Sequence, residues 1–218
     1  GLGSASSRVH WNLYGFRGRI CARDSPGRRP AGHAPIVFRA YDSTTFESRI
    51  YVKDPTDPTP ELVHEVRGGS HYVKWSPDGQ QILFDAHPDE EEGGVLYVMD
   101  RRGLGVRRIT PALPARTIIT GHAWGPRQYQ VTYVTGRIHN NGAVWIVDLN
   151  RPKAPVKLID TGGVFHGPPA WSRDGSRLAY AWAEAEGSVI DLWVVDGNGE
   201  NARPLTDEIW SEVVYGAE

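Results

Sequence analysis

Apolar residues along this chain come in short bursts, each closed by turn-forming residues, and the bursts repeat. The runs "RIYVKD", "VLYVMD", "AVWIVD" and "DLWVVD" end at Asp54, Asp100, Asp148 and Asp196, in steps of 46, 48 and 48 residues. Three positions before each Asp stands an aromatic: Tyr51, Tyr97, Trp145 and Trp193. A second aromatic, Phe38, Phe84, Tyr133 or Tyr180, precedes each Asp by 15 or 16 residues. Nine residues before the last three of these stand Trp75, Trp124 and Trp171. Nine or ten residues after each Asp comes an apolar position: Val63, Ile109, Leu158 and Leu205. A fixed period of this length is the mark of a repeat architecture.

Each copy reads as four short strands. In the clearest copy these are "HYVKW", "QQILFDA", "VLYVMD" and "VRRIT", each bounded by turn residues. Runs such as "LYVM" and "VWIVD" are apolar on both faces, which predicts strands covered on both sides. Four-stranded units of this period, stacked face to face, are the blades of a β-propeller. The predicted class is therefore all-β, with antiparallel four-stranded blades at about 34–66, 69–110, 119–160 and 166–207. A further blade begins after them, giving four to five blades. A β-sandwich does not call for such regular spacing. Residues 1–33 form a separate N-terminal segment, whose strands would close the propeller by meeting the C-terminal "EIWSEVVYGAE". Five blades closed in that way, and a part of a larger ring, are both open.

The turns carry the same period. In "WSPDG", Pro77 presets φ at the second position of a type I turn, Asp78 accepts locally, and Gly79 suits the fourth position. "WSRDG" at 171–175 repeats it with Arg173 in place of proline, "WGPRQ" lacks the Asp-Gly pair, and the first copy has Arg29 at the Trp position.

Composition narrows the picture further. The 24 Lys and Arg nearly balance 26 Asp and Glu, so no global field points to nucleic acid. With a single cysteine, Cys21, an intrachain disulfide cannot form. No apolar run is long enough to insert in a membrane, and no signal peptide stands in the sequence.

With these residues in view, the chain resembles the TolB-like propeller repeats, also called WD40-like Asp or PD40 repeats. "KWSPDGQQILF…VLYVMDRRGLGVRRIT" matches their pattern closely and "AWSRDGSRLAY…DLWVVDGNGENARPLT" nearly as well, while the copies at 34–66 and 119–160 are weaker. The resemblance implies a bacterial, exported protein, periplasmic or extracellular, acting as a non-catalytic scaffold that binds a protein partner or ligand without a cofactor. It also leaves an alternative. Similar propellers act as metal-assisted lyases or form the gate of prolyl-oligopeptidase-type serine peptidases.

Candidate chemistry is sparse. His71, His122 and His166 each stand just ahead of a blade's Trp, where first strands line the channel of a propeller. They are the ligand-binding candidates, because three converging imidazoles suit a metal or an anion. Their offsets from Trp differ, at four, two and five residues, and strand alternation would point some of them away. "HPDEEEGG" offers carboxylates, but four in succession read as a solvated acidic loop. "DGNGEN" lacks the distal Glu of a calcium loop and reads as a hairpin turn. Arg17, Arg19, Arg23, Arg28 and Arg29 form a basic stretch without stacking aromatics, which reads as a solvated segment. The nucleophile elbow G-x-S-x-G is absent, so no catalytic residue and no metal ligand is assigned from sequence.

Overall fold

The computed structural model describes residues 34–206, apart from 88–92, 112, 115, 126, 128, 138–139, 151–154, 161 and 186. The N-terminal segment with Cys21 and the five arginines, Asp89 to Glu92 of the acidic run, and the C-terminal start of a further blade lie outside these residues.

Four antiparallel sheets follow one another along the chain. The first holds β1 (Ile36–Asp42), β2 (Glu47–Lys53) and β3 (Glu61–Val66). The second holds β4 (Val73–Trp75), β5 (Gln81–Ala86), β6 (Val95–Asp100) and β7 (Arg107–Arg108). The third is β8 (Thr117–Trp124), β9 (Gln130–Arg137), β10 (Asn140–Asp148) and β11 (Val156–Asp160). The fourth is β12 (Val164–Trp171), β13 (Arg177–Ala183), β14 (Asp191–Asp196) and β15 (Arg203–Pro204). Each is a meander in sequence order, as a blade requires. The first blade shows three strands rather than the expected four. Its β1 carries Phe38, the counterpart of Phe84 on β5, so β1 is a second strand; the first-strand position near Arg29 lies outside the described residues. Among the described residues the sheets do not close into a ring.

The repeated residues now have reasons. The two aromatics of each copy face one another across the middle strands: Phe38↔Tyr51, Phe84↔Tyr97, Tyr133↔Trp145 and Tyr180↔Trp193. The first two pairs stack with ring centroids 5.5 Å apart, an offset packing that adds to plain burial. The core is a series of layers between blades. Ile50 and Val66 of the first blade meet Ile82, Phe84 and Met99 of the second. Leu83, Leu96 and Val98 of the second meet Ile119, Trp124, Val131 and Tyr133 of the third. Val134, Val144 and Ile159 of the third meet Phe165, Leu178, Tyr180 and Val195 of the fourth. Both faces of the middle strands are therefore covered, as their unbroken apolar runs predict.

The tryptophans sit in these layers and reach back one blade. Trp124 Nε1 donates to the Lys74 carbonyl at 3.4 Å, and Trp171 Nε1 to Thr132 Oγ1 at 2.8 Å. The recurrent Asp at the end of the third strand caps its hairpin at Asp54, Asp100 and Asp148, whereas Asp196 Oδ2 accepts from the Asn201 side-chain amide instead. Asp100 Oδ1 accepts the amides of Arg102 and Leu104, both at 2.8 Å, and Asp148 Oδ1 that of Asn150 at 2.9 Å. In that hairpin Gly103 and Gly199 have φ of 79° and 87°, and a Cβ on either would collide with the Val63 or Leu158 carbonyl of the preceding blade. "DGNGEN" is such a hairpin, closed by Gly199 N–H to the Asp196 carbonyl at 2.8 Å.

Candidate functional site

Neighbouring sheets touch where β1 runs beside β4 and β8 beside β12, and in a propeller the first strand of each blade, here β4, β8 and β12, is the inner one. At the inner end of the second blade the regular ladder stops. Val73 pairs with Phe84, but the next bridge, Gly69 to His87, is offset by one residue. This offset leaves the amides of His71 and Tyr72 without carbonyl partners on β5, and buried amides need an acceptor. Asp85 supplies it. Its Oδ2 accepts the His71 amide at 2.8 Å and its Oδ1 the Tyr72 amide at 2.7 Å.

Three imidazoles surround the same carboxylate. His87 Nε2 lies 3.1 Å and His71 Nδ1 3.4 Å from Oδ2, while His122 Nε2 lies 3.4 Å from Oδ1. His71 Nδ1 and His87 Nε2 are themselves 3.2 Å apart. Strand alternation puts Asp85 and His87 on one face of the second strand, and His122 arrives from β8 of the third blade. The first blade contributes Arg39, whose Nε donates to the His71 carbonyl at 3.1 Å. Three blades are thus tied at one point.

The electrostatics follow from burial and partners. Asp85 is fully buried, which by itself raises a carboxyl pKa, yet hydrogen bonds from His122, His71 and His87 outweigh burial and hold it well below the usual range. It is an ionised carboxylate. His122 is also fully buried, and burial depresses its pKa against the opposing pull of Asp85, so the ring is neutral at neutral pH. Its Nε2 faces two acceptors, Asp85 Oδ1 and the Tyr72 carbonyl at 3.2 Å, and must carry the proton. Its Nδ1 has no hydrogen-bond partner. Beside it, Lys74 Nζ donates to the His122 carbonyl at 2.8 Å, and burial lowers that ammonium to about 8. His71 is the outward member, with its side chain 56% exposed.

Of the three histidines singled out from sequence, the fold brings His71 and His122 together around one carboxylate. His166 lies on β12 in the fourth blade, paired with Ala181, and is not among the three imidazoles at Asp85. Sequence reading missed Asp85 and His87 as site residues. Their signal was "DAH" at the end of a strand whose alternation places both side chains together, at positions where the other copies have Arg39 and Tyr41, Val134 and Gly136, or Ala181 and Ala183.

No family model and no curated relative matches this chain. Solved structures do. TolB from Acinetobacter baumannii superposes with a TM-score of 0.62 at 21% identity, covering 79% of this chain and 41% of that one. A putative TolB from Agrobacterium tumefaciens gives 0.56 at 21% identity, covering 79% and 58%. An oligogalacturonate lyase in complex with manganese gives 0.65 at 13% identity, covering 84% and 52%. The chain therefore spans about half the length of these structures. Among the described residues no helix is long and apolar enough to cross a membrane. At these identities the likeness concerns architecture, and on that ground the described residues form blades of a TolB-like β-propeller.

Proposed function

We propose that this chain is a non-catalytic TolB-like scaffold, exported to the periplasm or the cell exterior, that presents the inner end of its second blade to a protein partner. The observation that carries this reading is the brace at Asp85. It joins Arg39 of the first blade, His71 of the second and His122 of the third at a point where the repeat itself requires no polar residues. Bracing an exposed imidazole on a rigid frame lowers the ordering cost of binding, which is where affinity is gained or lost. The test is site-directed photo-crosslinking in living bacteria, with the reactive residue at Arg39 and a control at Arg107 on the outermost strand β7. A discrete adduct from Arg39, competed by untagged protein, supports the reading. Equal labelling at both positions, or none, overturns it.

A second reading, a metal-assisted propeller lyase, draws on the same imidazole–carboxylate grouping and on the likeness to a manganese-bound lyase. It predicts release of unsaturated uronides from oligogalacturonate in the presence of manganese. No product above a protein-free control sinks it.

A further inference from the structure

The geometry points to a divalent metal site of the zinc class formed by His71 Nδ1, His87 Nε2 and Asp85 Oδ2. These three atoms form a triangle with edges of 3.1, 3.2 and 3.4 Å. An ion bound tetrahedrally at 2.0–2.1 Å separates its ligands by about 3.3 Å, so the three donors already stand at the corners of one tetrahedral face. Without an ion, an imidazole N–H meets Asp85 Oδ2 at this spacing, beside the His71 amide that the same oxygen accepts. With both near ring nitrogens unprotonated, all three atoms offer lone pairs, and a cation at the centre satisfies them together.

The surroundings are those of a built site. Both Asp85 oxygens are fixed by backbone amides, and His122 fills the space behind the carboxylate as a positioning residue, the outer support that ligating carboxylates need. His87 is anchored by its own amide, which donates to the Gly69 carbonyl at 2.8 Å. Its ring lies against Gly94, where a Cβ would stand only 2.9 Å from Cε1. Two imidazoles and one carboxylate favour zinc or cobalt over magnesium and calcium, which take oxygen ligands. Because His71 is exposed, the fourth position opens to solvent, and water or an anionic group of a ligand completes the shell.

The experiment uses the full chain after chelator treatment and desalting, titrated with zinc and, separately, cobalt. One equivalent of zinc per chain is retained through gel filtration, and cobalt develops the intense visible bands of a tetrahedral ion. His71→Ala weakens binding more than 100-fold; being exposed, this site can be changed without threat to folding. His87→Ala does the same, His122→Phe weakens it 10- to 100-fold as an outer-shell change does, and His64→Ala on β3 changes nothing. Substoichiometric metal, or zinc uptake unaffected by His71→Ala and His87→Ala, overturns the assignment. The outcome is independent of the scaffold reading, whose crosslinking test needs no metal.

Discussion

The second and fourth blades are built to one plan and differ at one end. Both begin the second strand from the same turn, both end the third strand on Asp, and both use a threonine hydroxyl to meet the amide of that third strand's second residue. Thr110 Oγ1 accepts the Leu96 amide at 3.0 Å, and Thr206 Oγ1 the Leu192 amide at 3.1 Å. At the inner end they part. In the fourth blade the ladder slips between Ala170 and His166 but then resumes as backbone pairing, from His166↔Ala181 through Phe165↔Trp182 to Val164↔Ala183. In the second blade the ladder gives way after Val73↔Phe84, and a side chain, Asp85, takes over the role of a carbonyl. Residues shared by the blades are architecture. The residues that depart from the repeat, with their own partners, are where binding chemistry has room.

Turning the second blade into the fourth is the harshest way to break this comparison. Asp85→Ala strands two amides and leaves His122 facing no carboxylate, and loss of one member of a buried charged network costs about 3–5 kcal/mol. Urea unfolding of the variant should show this as a lower midpoint with little change in slope. A loss under 1 kcal/mol would mean that the backbone re-forms the ladder seen in the fourth blade, and that the carboxylate is dispensable to the fold.

The layer between blades should not tell the two apart. Ile82 and Leu178 occupy equivalent positions, seven residues after their Trp, and both are completely buried. Truncating either to Ala removes buried methylenes and leaves a cavity, at about 2–5 kcal/mol each. Matching losses for Ile82→Ala and Leu178→Ala confirm equivalent packing, whereas a fourfold disparity in free energy would show that one layer is only loosely held.

How legible all this was in the sequence depends on repetition. The strands, the facing aromatics and the turns could be read because each appears several times, so that one copy checks another. Trp75, Trp124 and Trp171 could be aligned with one another by spacing alone, and two of them are seen hydrogen-bonding to the preceding blade. Asp85 appears once. Within "QILFDA" it passes for a strand-end polar residue, because the one-residue offset that exposes two amides to it leaves no trace in a linear pattern. His71 and His122 were singled out for standing before a Trp, yet what unites them is a carboxylate on another strand. His166 met the same criterion, but its strand bends through Gly167 and two prolines, with a register shift before Ala170, and it has Ala181 across from it where the second blade offers Asp85.

A milder contrast lies one residue before each Trp, where the second blade has Lys74 and the fourth has Ala170. Lys74 titrates near 8 in the folded chain because burial disfavours its charged form, while an unfolded lysine titrates near 10.4. Between those values the unfolded chain holds more protons, so stability rises with pH from about 8 toward 10. The gain is on the order of 1–3 kcal/mol. Above 10 the buried Tyr133, whose phenol is pushed upward by burial, opposes it as unfolded tyrosines ionise. Lys74→Met should flatten the rise over pH 8–10; an unchanged slope would assign the rise to another group.

The smallest effect tests the part of the plan that the blades share most closely. Ser76 and Ser172 each hold a turn by two functions of one hydroxyl. Ser76 Oγ donates to Asp78 Oδ1 at 2.5 Å and accepts the Gln81 amide at 2.9 Å. Ser172 Oγ donates to Asp174 Oδ1 at 2.7 Å and accepts the Arg177 amide at 3.0 Å. In both turns the fourth residue closes back on the serine carbonyl, Gly79 at 2.9 Å and Gly175 at 3.0 Å, with φ of 67° and 72°. Replacing proline by Arg173 has therefore not altered the hydrogen bonding of the turn, only the stiffness of the unfolded chain. Ser76→Ala and Ser172→Ala should each cost about 1 kcal/mol, the net worth of the hydrogen bonds lost. Equal losses by thermal unfolding mean that the turn works the same way in both blades. A clearly larger loss at Ser76, which is buried where Ser172 is partly open, would extend the difference between the blades from their inner ends to this turn.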